Sequence, residues 1–125
     1  MRVPMVHKVP QGSFHNRIEL TVENTSSHTT KWIKVEVKSP PSWLRFEKQA
    51  ITIDEIKPRG EAIALFTFAV NPAIAVGTDC TLLFVIRSQS GEVWNKEIHL
   101  TIVRQSIFRK LLGRLAWKIE ITNLG

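Results

Sequence analysis

The sequence has few means of stapling itself together. Its 125 residues include a single cysteine, so an internal disulfide and a cysteine-built zinc site are both excluded. Cys80 opens an apolar run, Cys80-Thr81-Leu82-Leu83-Phe84-Val85-Ile86. A small buried hydrophobe is expected there, rather than a reactive thiol, which needs an open and electropositive setting. Long apolar runs are also missing. No segment approaches the ~20 residues of a transmembrane helix, and residues 1–12 lack the continuous apolar stretch of a signal peptide. Gly60, Gly77, Gly91 and Gly113 stand apart from one another, which rules out a glycine-rich phosphate loop.

Catalytic patterns are equally scarce. His7, His15, His28 and His99 fall in no metal-binding spacing, and no serine sits in a nucleophile elbow. The acidic residues alternate with lysine and arginine on polar strand faces. Nothing specifies the facing carboxylate pair of a glycosidase. Asn24-Thr25-Ser26 matches a glycosylation sequon but reads as an ordinary turn. These absences predict a chain without catalytic residues, metal or cofactor.

Charge of one sign is concentrated rather than abundant. The net charge is +6. Residues 1–103 carry 12 Lys/Arg and 10 Asp/Glu, a balance of +2, whereas residues 104–125 carry 5 and 1, a balance of +4. The body is therefore nearly neutral, and a general argument for nucleic-acid binding fails.

What the sequence does have is alternation with period two. Ile18, Leu20 and Val22 alternate with Arg17, Glu19, Thr21 and Glu23; Ile33, Val35 and Val37 alternate with Lys34, Glu36 and Lys38. Each pattern marks a half-buried strand. Pro40-Pro41 interrupts pairing, and extended segments resume at Trp43–Phe46 and Ile51–Ile53. Lys57-Pro58-Arg59-Gly60 is a turn. Ala62–Val70 is apolar on both faces, which predicts a central and well-covered strand, and Cys80–Arg87 is similar. Ser88-Gln89-Ser90-Gly91 joins it as a hairpin to Val93–Val103, in which Trp94 shares the parity of Ile98 and Leu100. About seven short strands without a helix before residue 104 predict an all-β, immunoglobulin-like antiparallel sandwich, with an open barrel as the structural competitor.

The order of these signposts resembles a known family. Leu20-Thr21-Val22-Glu23-Asn24-Thr25, Val35-Glu36-Val37 followed by Pro41-Ser42-Trp43, Ile56-Lys57-Pro58-Arg59-Gly60, Val70-Asn71-Pro72 and Val76-Gly77-Thr78 are similar to the bacterial immunoglobulin-like domain called the alpha-galactosidase-associated domain, and to its adhesion-type relatives. The resemblance covers residues 18–103. It implies a non-catalytic, extracytoplasmic or envelope module with protein partners or neighbouring domains, and it supplies no particular binding residue.

Two groups of residues are candidates for contact. Trp32 falls on the outer Lys34/Glu36 face, and Trp43 follows the proline break; both are candidate carbohydrate contacts, weighed against plain packing. In residues 106–116 the period changes. Ile107, Phe108, Leu111, Leu112 and Leu115 would line one face of a helix about 16 Å long, opposite Arg109, Lys110 and Arg114. The alternating segment 117–122 then reads as a strand. Three readings of this basic tail compete: it packs on the sandwich, it leads into a further domain, or it docks on a partner or, weakly, on an anionic membrane. The expected domain is residues 1–103, with 104–125 as the tail. The expected function is an interaction or spacer module. Carbohydrate binding through tryptophan and tail-mediated contact with membrane or nucleic acid are the alternatives.

Overall fold

The computed structural model describes residues 6–104 with their side chains, and residues 114–121 as backbone. Nine strands occur among them: β1 (Val6–Pro10), β2 (Asn16–Asn24), β3 (Thr30–Lys38), β4 (Leu44–Phe46), β5 (Ala50–Ile56), β6 (Glu61–Val70), β7 (Asp79–Arg87), β8 (Val93–Val103) and β9 (Arg114–Ile121). They form two sheets, ordered β1-β8-β7-β3-β5 and β4-β6-β2-β9. The chain folds as an immunoglobulin-like β-sandwich.

Alternation places the core where the sequence puts it. Ile18, Leu20 and Val22 from β2 and Ala64, Phe66 and Phe68 from β6 are buried against Ile33, Val35 and Val37 from β3 and Leu82, Phe84 and Ile86 from β7. Phe66 and Phe84 meet edge-on across the two sheets, with ring centroids 5.2 Å apart, a favoured aromatic geometry. Trp43 and Trp94 are partly buried and pack against this core.

Polar residues lie inside as well, Asn24 and Asn16 among them. Asn24 is 0% exposed. Its side-chain amide donates to the carbonyls of His28 (2.7 Å) and Ile56 (2.9 Å), and its oxygen accepts from the N–H and hydroxyl of Ser26. The sequon asparagine is thus a structural clamp between the β2–β3 turn and the end of β5. Asn16 is likewise buried, donating to Ser13 and to the Phe68 carbonyl.

Three expectations change. First, β1 is an additional strand. It has a single core residue, Val9, and is held by parallel pairing to β8, with Val9 opposite Ile102; one inward side chain leaves too weak a period to read. Second, β6 is central but not covered on its outer face. Ile63 is 60% and Leu65 42% exposed, because among the described residues no layer packs outside this sheet. Third, the expected helix does not reach residue 116. Arg114, Leu115 and Ala116 belong to β9, which runs parallel to β2 with Leu115 opposite Ile18 and Trp117 opposite Leu20. The alternation of Leu115, Trp117, Ile119 and Ile121 meets an open ladder on β2, which a helix cannot use. Ile107, Phe108, Arg109, Lys110 and Leu111 lie outside the described residues.

Candidate functional site

β4 is three residues long for a topological reason. The chain passes from β3 in one sheet to β4 in the other, then back to β5. By Gln49 it has already returned, since the Gln49 carbonyl accepts from Val37 N–H on β3 (2.9 Å). β4 therefore pairs only with Phe68–Val70 of β6, and one further bond, Glu47 N–H to the Thr67 carbonyl (3.0 Å), ends the contact. The Thr67 carbonyl points away from β2. Backbone groups alternate sides along a strand, so those of Ile63 and Leu65 point the same way, and among the described residues no strand pairs with them on that side. An open half-edge thus runs beside two exposed apolar side chains.

The half-edge leads into a cleft of about 280 Å³, where β4 meets the loop before β2. Phe14, Phe46 and Ala69 line its apolar part, with Arg45 and His15 at the rim. Phe46 stacks on Phe68, with centroids 5.2 Å apart, and Phe14 meets the His15 ring edge-on at 5.1 Å. Phe14 is 63% exposed. His15 is held at φ 61°, a left-handed conformation uncommon for side-chain-bearing residues. Across the cleft, Thr67 donates its hydroxyl to Glu47 at 2.6 Å. The Arg45 guanidinium has no carboxylate partner among the described residues.

Trp32 and Trp43, the two candidate tryptophans, part company. Trp43 is half-buried against the core, and its carbonyl accepts from Asn71 N–H. Trp32 stands on the outer face of the five-stranded sheet, 52% exposed, at φ 52°. Holding a bulky L-residue there costs roughly 1–3 kcal/mol. The ladder shows why the backbone departs. Lys31 pairs with Glu55 and Ile33 with Ile53, but Trp32 is skipped. On the other side Lys34 pairs with Arg87, while Gln89 N–H reaches the Lys31 carbonyl at 3.4 Å. Trp32 and Ile33 together thus oppose Ser88 alone, as in a bulge. Lys31, its neighbour in the chain, lines a polar cleft of about 190 Å³ together with Thr29, Thr30, Ser88, Gln89 and Ser90.

The titratable groups whose proton affinity is shifted sit near β1. Burial first, and Asp79 second, push the Cys80 thiol up to about 11, which keeps it protonated and unreactive at neutral pH. Cys80 is half-buried rather than enclosed. Burial, with His99 and Lys96 nearby, lowers His7. His99 Nδ1 and the Thr81 hydroxyl are hydrogen-bonded across β7 and β8 at 2.9 Å.

No family model matches the chain, and no curated protein does. The motif order that resembles the alpha-galactosidase-associated domain is thus carried by strands and turns that recur throughout sandwich folds. Among solved structures the chain is similar to the periplasmic chaperone SfaE, at TM-score 0.48 and 9% identity over 82% of this chain and 56% of that one. It is also similar to the CupB2 chaperone of Pseudomonas aeruginosa, at TM-score 0.41 and 13% identity over 85% and 55%. The chain spans little more than half the length of either. Likenesses this distant carry nothing about activity or partners.

Proposed function

We propose that this chain is a non-catalytic interaction module that takes an extended segment of a protein partner onto the open edge of β6. The observation that carries the reading is the half-edge at Ile63 and Leu65, which among the described residues has no strand paired to it and whose side chains are exposed. Unpaired N–H and C=O groups in a row are a template for another strand. Side chains alternating every second residue supply specificity in such pairing. Sheet edges that stay in water are normally protected by charge, proline or bulges; here the side chains beside the edge are aliphatic. Burying one of them contributes roughly 1.5–3 kcal/mol. The neighbouring cleft would take an apolar side chain of the same segment, and Arg45, which has no carboxylate partner among the described residues, favours an acidic residue beside it.

A random nine-residue peptide display against the full chain tests this. Selected peptides should alternate apolar residues and should protect the amides of Ile63 and Leu65 from hydrogen exchange. The double variant I63K/L65K should fold with an unchanged Tm and lose binding by at least ~100-fold. Peptides that leave residues 61–66 unprotected, or that bind the variant equally well, would put the contact surface elsewhere.

A further inference from the structure

A second surface, on the opposite sheet, has a different chemistry. The Trp32 backbone adopts a conformation that glycine reaches freely and tryptophan does not. An indole that stabilised the fold by burial could offset that strain, but about half of this residue remains in water. Trp32 is therefore held out on the sheet at a cost that its own packing does not account for. Its chain neighbour Lys31 lines a cleft together with Thr29, Thr30, Ser88, Gln89 and Ser90. Its groups are hydroxyls, an amide and one ammonium. Hydroxyls and amides each both donate and accept, as sugar hydroxyls require. The Ser88 and Ser90 hydroxyls are already linked at 2.8 Å, and Ser90 donates to Glu92 at 3.2 Å, which fixes their directions. At about 190 Å³ the cleft is smaller than the ~300–1,000 Å³ of drug-sized sites and suits a single ring.

We infer that Trp32 and this cleft form a carbohydrate-binding site. The apolar face of a neutral hexose in an oligosaccharide stacks on the indole, and the hydroxyls of the adjoining sugar reach the Thr29, Gln89 and Ser90 side chains. The site is independent of the β6 edge and survives if that reading fails.

The probe is an array of α- and β-linked neutral hexose oligosaccharides, with a proline-rich peptide as a second stacking ligand. Binding is read on the full chain and on Trp32→Gly, Trp32→Phe, Gln89→Ala and Ser90→Ala, each with its thermal unfolding curve. Wild type should bind a subset of the hexose oligosaccharides. Trp32→Gly should lose at least about tenfold in affinity, the scale of one aromatic stacking contact, while its Tm stays level or rises because the strain is relieved. Trp32→Phe should keep part of the binding, and Gln89→Ala and Ser90→Ala should weaken it at unchanged Tm. Three results overturn the assignment: no oligosaccharide bound at millimolar concentration, equal binding by Trp32→Gly, or capture of the proline-rich peptide in place of sugar. A Trp32→Gly Tm several degrees below wild type would show that the indole is there for packing, and would also overturn it.

Discussion

Asn24 and Cys80 show what one side chain's surroundings can do to its chemistry. Asn24 lies in a sequon, yet it is enclosed and makes four hydrogen bonds. Asn24→Ala leaves the Ile56 carbonyl without its side-chain donor, and should cost about 2–3 kcal/mol in urea denaturation. Asn16, with fewer partners, should cost less. Cys80 is raised from 9.0 to about 11. The folded chain then keeps a proton that the unfolded chain releases, so stability should fall as pH rises through that window. Alkylation of the native protein at pH 8 should be far slower than that of the urea-unfolded chain, read by mass spectrometry. Equal rates would mean an open thiolate. The unreactive character of Cys80 was legible in its apolar run, whereas the enclosure of Asn24 was not, because a sequon looks the same whether or not another strand closes over it.

β6 carries the clearest contrast between faces of one element. Phe66 is enclosed beside Phe84, whereas Leu65, its neighbour in sequence, is 42% exposed. Phe66→Ala should cost roughly 3–5 kcal/mol, and so should Phe84→Ala. Leu65→Ala should stay within about 0.5 kcal/mol. Chemical denaturation of all three variants checks the strand parity directly; a large loss at Leu65 would mean that its face is covered. The parity of β2, β3 and β8 was readable because each buries one row of largely aliphatic side chains. The exposure of Ile63 and Leu65 was not. A strand with two apolar faces reads as covered on both, and only the layering of the sandwich, with no further layer outside this sheet among the described residues, leaves one face of β6 in water. Trp32 was placed correctly on the outer face by parity, but its left-handed backbone depends on the step in pairing opposite Ser88, which no single segment encodes.

At the scale of the whole molecule, parallel pairings close one edge of each sheet, β1 on β8 and β9 on β2. Removing residues 104–125 deletes β9 and leaves β2 as a bare edge beside the core rows Ile18, Leu20 and Val22. The truncated chain should lose at least roughly 5 °C in Tm and should show oligomers on size-exclusion chromatography, since bare edges recruit other chains. An unchanged Tm and a monomeric profile would assign the tail to a neighbouring domain or partner instead. The sequence by itself determined the fold class, the positions of seven strands and the facing of the core rows, because period-two alternation and proline–glycine turns are local signals. Which edges stay open, which polar residues are enclosed and how the Trp32 backbone is held followed only from the assembled sandwich. Those outcomes depend on where the chain crosses between sheets, and so on contacts between residues far apart in sequence.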